Sequence, residues 1–411
     1  MCKKWLGIII TSALSVVLLG VGPVSAGTCN ATNELIIGSH QPLSGPSAAS
    51  GLAYNRGLLL ALKHYNEGEH PFNPEPCLNV AGKKYKLVNK VYDNKYTGEG
   101  GLAACKKLVF DDGVGFIIGT MGSGPSITCA DAVTEPNKVI FLTSGWSTKV
   151  LRGDRKYTYR YTPTGREFGM AFWAWAKENL PHIKKVGVTG RNDDAGRGSV
   201  PTMRKVMRSF GYEVRDEPEW LDIGQTDYYP QLSRVLAHKP DMVNIINNPI
   251  EEGLQIKQLR ELGWDGPIRG ICQMPEEIMK TAGGKEVVEG VYCLYGLDFD
   301  QGPPHITPEM VRIRKAYQAE YGGEDLQLQP LQVYDATVGL LEAIKMAGTI
   351  DPVEVNKVFQ NFNWKLSNGA MSSWGGKETI GRDGQLEQPV TVSQFKNGIV
   401  QVVGAVRIEV P

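Results

Sequence analysis

Short apolar runs alternate with amphipathic stretches along most of the chain. Leu35-Ile36-Ile37-Gly38, Phe116-Ile117-Ile118-Gly119 and Val139-Ile140-Phe141-Leu142 are too short for buried helices. They read as strands of a parallel sheet covered on both faces. Tyr85–Tyr92 adds a further strand. Helices are expected over Tyr54–Tyr65, from Thr97 to about Asp111, and after Pro125. A second series follows Tyr157–Tyr161. Helix Arg166–Asn179 leads to strand Lys185–Thr189, helix Gly198–Phe210 to extended Tyr212–Glu219, helix Tyr228–Ala237 to strand Asp241–Ile246, and helix Glu251–Leu262 to strand Pro267–Ile271. Two such series predict two open α/β lobes. Thr307–Phe362 shows three helical patterns with no strand between them. Asn368–Gly384 reads as a Gly-rich loop. Val390–Phe395 and Ile399–Val406 form a hairpin signal joined at Asn397-Gly398.

The densest apolar run is at the start. Lys3 and Lys4 precede the uncharged stretch Leu6–Gly22, and Val24-Ser25-Ala26 closes it with small residues. This order predicts a cleaved secretory signal over residues 1–26 and a periplasmic location. A lipoprotein signal at Cys29 is disfavoured, because Ala26-Gly27-Thr28 does not match a lipobox.

Charge and cysteine content narrow the picture. The 411 residues carry 44 basic and 44 acidic side chains, so no basic field exists to hold nucleic acid. Six cysteines follow the signal: Cys29, Cys77, Cys105, Cys129, Cys272 and Cys293. None forms a CxxC pair, which disfavours zinc and dithiol redox chemistry. Cys272 and Cys293 lie on consecutive strands and are the favoured disulfide, with Cys77–Cys105 a second pairing.

Catalytic motifs are missing. Ser123, Ser144 and Ser199 lack the flanking glycines of a nucleophile elbow. No two histidines stand four apart, and no Gly-Lys-Ser/Thr occurs. Neither a cofactor nor a metal is expected, and the chain does not read as an enzyme. Gly and Ser instead gather after strands: at Pro42–Pro46, Gly119–Ser126 and Thr143–Thr148, with Asn192–Gly196 in the second series. Ligands of open α/β sheets bind beyond the carboxyl ends of the strands, at helix N-termini suited to carboxylates.

These loops, together with Tyr92-Asp93-Asn94, Pro136–Ile140, Thr226-Asp227-Tyr228, Lys239-Pro240-Asp241, Leu259–Gly263 and Glu289–Tyr292, resemble the type I periplasmic binding proteins. The closer resemblance is to the branched-chain amino-acid-binding subunits of ABC transporters. It implies two Rossmann-like lobes with open parallel sheets, joined by a three-segment hinge near Thr158, Gly296 and Ser372. The lobes would then be 27–157 with 297–371, and 158–296 with 372–411. The resemblance places a carboxylate clamp at Ser123, Gly145 and Ser147, with Trp146 beside it and Ser50 in the first loop. In the second lobe the corresponding positions are Asp194, Ala195, Asn248 and Gln273. The family's acidic partner for a ligand ammonium falls on Cys272 or Gln273, neither charged; Asp193, Asp194 or Glu251 could replace it. The expected function is capture of a small carboxylate-bearing ligand, an amino acid or a related acid or amide, for an inner-membrane ABC permease. A sensing receptor is the alternative. The working unit is expected to be a monomer without nucleic acid.

Overall fold

The computed structural model describes residues 27–408. The expected signal sequence lies outside them. The first part of the chain runs β1 (Glu34–Gln41), α1 (Ala48–Glu67), β2 (Leu78–Val80), β3 (Lys83–Asp93), α2 (Gly98–Lys106), β4 (Phe116–Thr120), α3 (Ser123–Cys129), β5 (Ile140–Thr143) and β6 (Thr158–Arg160). The next part runs α4 (Gly165–Asn179), β7 (Lys185–Arg191), α5 (Asp194–Ser209), β8 (Glu213–Val214), β9 (Glu219–Leu221), α6 (Tyr229–Leu236), β10 (Met242–Asn244), α7 (Pro249–Glu261), β11 (Ile268–Gly270), α8 (Pro275–Ala282) and β12 (Tyr292–Cys293). Helices Pro308–Glu320, Leu328–Ala347 and Pro352–Phe359 follow. The chain then adds β13 (Ser373–Gly375), β14 (Gln385–Glu387), β15 (Pro389–Lys396) and β16 (Ile399–Arg407).

These strands form two eight-stranded sheets. The first is ordered β13-β14-β6-β5-β4-β1-β3-β2; the second is ordered β16-β15-β12-β11-β10-β7-β8, with β9 also paired to β7. The central pairs of both sheets are parallel, and the antiparallel pairs lie at the margins. The apolar runs fill both faces of each sheet. Phe116, Ile118, Ile140 and Leu142 enter one core of the first lobe, while Ile117 and Phe141 enter the core on the opposite face. Met242 and Ile246 divide in the same way from Val243 and Ile245 in the second lobe. Continuous apolar strands are therefore what this burial requires.

Three expectations change. Thr158–Arg160 belongs to the first sheet, parallel to β5, so the first passage between lobes follows Arg160. The reason is packing: Tyr159 is buried against Phe359 and Trp374 in the first core. The Gly-rich stretch 368–384 is not all loop. Its Trp374 strand pairs with β14, which continues the first sheet beside β6. The last passage therefore lies near Gln388 rather than Ser372. At the middle passage, Leu294 and Tyr295 pack in the second lobe, while Leu297 packs on the first. The third change concerns the cysteines. Cys272–Cys293 is a disulfide, but Cys77 pairs with Cys29 and Cys105 with Cys129. Cys105 on α2 faces α3, whereas Cys77 sits beside the start of the described chain, so no Cys77–Cys105 bond forms.

Candidate functional site

The strands of both sheets end at a cleft between the lobes, where a cavity encloses about 430 Å³ of empty space, part of it open to solvent. The first lobe lines it with Tyr54, Tyr96, Met121, Gly122, Ser123, Ser144 and Trp146. The second contributes Arg191, Ala195, Ser199, Ile246, Ile271 and Gln273.

The first wall is built from backbone and hydroxyl groups. Gly122, at φ 101°, turns the chain from β4 into α3, a conformation that favours glycine. The α3 helix consequently begins at Ser123, three residues earlier than expected. The opening N–H groups of a helix lack partners within it, and here they start at the cavity wall. Ser123 Oγ accepts the Ser147 N–H at 2.9 Å. Below it, Thr143 Oγ1 accepts from Gly145 N at 3.0 Å and contacts Ser126 Oγ at 2.6 Å. Arg160, buried in the hinge, donates to the carbonyls of Gly145 and Ser147 at 3.1 Å each, and to Gln385 at 2.6 Å. Burial lowers its pKa to about 10, which leaves the guanidinium charged at neutral pH. The loop carrying Trp146 is thus held at both carbonyls. The Trp146 ring packs on Phe168 and Tyr295, with centroids 5.6 and 6.2 Å away.

The second wall is strained. Gln273 stands between Cys272 at φ 58° and Met274 at φ 53°. Non-glycine residues in this region cluster at functional sites. Two devices hold the turn. The Cys272–Cys293 disulfide ties it to β12. The Glu252 carboxylate accepts the N–H groups of Ile271 and Cys272 at 3.2 and 3.0 Å. Gly270 makes room for it, since a Cβ there would lie 2.0 Å from Glu252 Oε1. Burial raises the Glu252 pKa to about 8, with the two N–H groups pulling the other way. Burial also raises the Tyr54 phenol, and the side chains of Ser144 and Gln273 at its oxygen counter this.

Of the residues expected from sequence, Ser123, Trp146, Ala195 and Gln273 come together around the cavity. The others stand behind it. Ser50 is buried on α1 one turn before Tyr54, which takes the wall position. Gly145 is occupied by Thr143 and Arg160. Ser147 Oγ accepts from Lys149 N at 3.3 Å, and Ser144 supplies the lining hydroxyl instead. Asp194 opens α5 where the lobes meet, close to Gly124. Asn248 accepts from Arg191 Nη1 at 2.5 Å. Arg191, Tyr96 and Tyr54 were not anticipated. Tyr54 lies at helical spacing from Ser50, and Arg191 ends a strand just before Asn192–Gly196, which are the available signals. Arg191 is also paired with Asp193. Burial works against its charge, but Tyr96 and Asp193 outweigh this and hold its pKa above the usual guanidinium value.

Two α/β lobes with a polar cleft at their strand ends define a receptor that encloses a small solute. A family model described as periplasmic binding protein matches residues 34–399, and the chain belongs to that family. Its members bind substrates and are not enzymes. The amino acid binding protein of Pseudomonas aeruginosa is 25% identical over 368 residues, 88% of this chain and 90% of that protein. The leucine binding protein LivK of Thermotoga maritima superposes with a TM-score of 0.76 at 23% identity, covering 91% of this chain and 99% of its own. An ABC-transporter solute binding protein of R. palustris in complex with benzoate superposes at 0.74 and 17% identity, covering 92% and 98%. Among the described residues, no helix is long and apolar enough to cross a membrane.

Proposed function

We propose that this protein captures a small carboxylate-bearing solute in the periplasm and delivers it, as a monomer, to an inner-membrane ABC permease. The ligand carboxylate faces Ser123 and the start of α3, Ser144 stands beside it, and Trp146 and Tyr54 flank the body of the ligand. The far end meets Ala195, Ile246, Ile271 and the Gln273 amide. One observation carries the reading of the ligand: among the described residues, no carboxylate side chain lines the cavity, and its one charged lining group is the Arg191 cation. An enclosed ammonium would have no charged partner there, which costs several kcal/mol. An acid or amide without an amino group fits this wall better than a free amino acid. The relatives named for leucine and for amino acids support the solute size, and the benzoate complex shows that this fold accommodates an acid lacking an ammonium.

Mass spectrometry of the solute released from protein isolated from its native periplasm tests the ligand class. A carboxylic acid without an amine is expected; a stoichiometric α-amino acid would overturn it. Uptake of that solute, lost when the gene is deleted, separates transport from sensing by the same lobes.

A further inference from the structure

We infer that Tyr96 and Arg191 form a closure pair that draws the two lobes together and thereby sets how tightly the cleft holds its solute. The inference rests on the two-lobed cleft and not on the ligand assigned to it.

Tyr96 belongs to the first lobe, in the turn between β3 and α2. Arg191 is the last residue of β7 in the second. Arg191 Nη2 donates to Tyr96 Oη at 2.8 Å, and the guanidinium carbon lies 5.4 Å from the Tyr96 ring centroid. Both side chains line the cavity. The contact is made by protein atoms alone, so it adds to closure whatever solute is enclosed.

Each partner is held by contacts within its own lobe. Lys95 and Tyr96 adopt φ of 52° and 60°, two consecutive left-handed non-glycine residues. Asp93 Oδ1 accepts from Lys95 N, and Asn94 Oδ1 from Tyr96 N, each at 2.8 Å. Asn94 is itself fully buried, donating to the carbonyls of His40 and Met121 at 3.1 and 3.3 Å. On the opposite side Asp193 engages Arg191 through both oxygens, and Asn248 takes its Nη1. The strained turn packs the Tyr96 ring on the edge of the first-lobe core and aims its phenol at the one cation on the facing wall. Backbone strain of this kind persists where surrounding contacts enforce it at a working site.

A solute that binds the closed arrangement gains affinity in proportion to how populated that arrangement is. Tyr96→Phe removes one oxygen and keeps the ring, so α2 and the turn remain folded. Small-angle scattering of the dialysed protein reads the lobe arrangement directly. The closed-to-open ratio is expected to fall about tenfold in Tyr96→Phe, the scale of a hydrogen bond to a charged group. Arg191→Met is expected to do the same, and the double variant to add nothing to either. A contact that only stabilised its own lobe would lower the melting temperature and leave the scattering curve unchanged. An unchanged curve for Tyr96→Phe, or additive effects in the double variant, would overturn the inference. A wild-type curve that already matches fully separated lobes would overturn it as well.

Discussion

The two walls of the cleft solve different problems. The first-lobe wall sets main-chain groups and the Ser123 and Ser144 hydroxyls among Tyr54, Tyr96, Met121 and Trp146, and the carbonyls of its Gly145–Ser147 loop are tied down from behind by Arg160. The second-lobe wall is made of side chains of mixed character, and its key turn is held by a disulfide and a buried carboxylate. The first needs no unusual side chain, because a helix start and a serine serve any carboxylate. The second sets small Ala195, apolar Ile246 and Ile271, and an amide at Gln273 along the cavity, and in the proposed function these distinguish one solute from another. In the proposed function, general affinity and specificity therefore sit on separate lobes, and closure joins them.

Keeping the two walls apart is expected to have the largest effect. A Cβ at Gly198 on α5 would lie 2.1 Å from Ser147 Oγ of the other lobe. Gly198→Val is expected to leave both lobes folded while lowering solute affinity at least a hundredfold, as calorimetric titration would show. Next in size is loss of the second-wall staple. Cys272→Ser with Cys293→Ser opens a link spanning 21 residues, which should cost about 3 kcal/mol of stability and loosen Gln273. Denaturant unfolding measures the first effect and solute affinity the second.

The buried carboxylate gives the second wall a pH signature. The Glu252 pKa is about 8 in the folded protein against 4.5 ordinarily. Between these values the folded state keeps a proton that the unfolded state has lost, so this group's contribution to stability falls as pH rises from 4.5 to 8. Glu252→Gln is expected to remove that decline, seen as a flatter melting temperature across the window relative to wild type. His40, His64 and His70, buried and lowered to about 3, act at the other end: stability falls as pH drops below 6.5. Both proteins share that limb. The smallest effect belongs to the first wall. Ser123→Ala loses one acceptor for the Ser147 N–H and should cost about 1 kcal/mol, with affinity falling by roughly tenfold or less.

Sequence pattern exposed what was local. The short apolar runs announced a parallel sheet because strands buried on both faces cannot alternate. The hairpin at Asn397-Gly398 followed from its turn residues. The Gly-Ser loops pointed to the first wall because that wall is built from consecutive residues. The second wall assembles residues 191, 195, 246, 271 and 273 from separate strand ends, so only its family positions were visible. Tyr96 escaped because nothing in Tyr92–Tyr96 shows that two left-handed residues swing the phenol across the cleft. The Gly-rich stretch hid an edge strand because its stability comes from Trp374 packing on Tyr159 and Phe359, contacts distant in sequence. Cys29–Cys77 and Cys105–Cys129 were missed because they join loop and helix positions, whose facing the strand pattern does not reveal.

In the proposed function the cavity offers an ammonium no carboxylate partner. Thermal shift with matched pairs tests it most directly: leucine against 4-methylpentanoate, and phenylalanine against 3-phenylpropanoate, with benzoate alongside. Acids without the amino group are expected to raise the melting temperature, and their amino-acid partners to do so weakly or not at all. Strong stabilisation by an amino acid, with none by its deaminated partner, would contradict it.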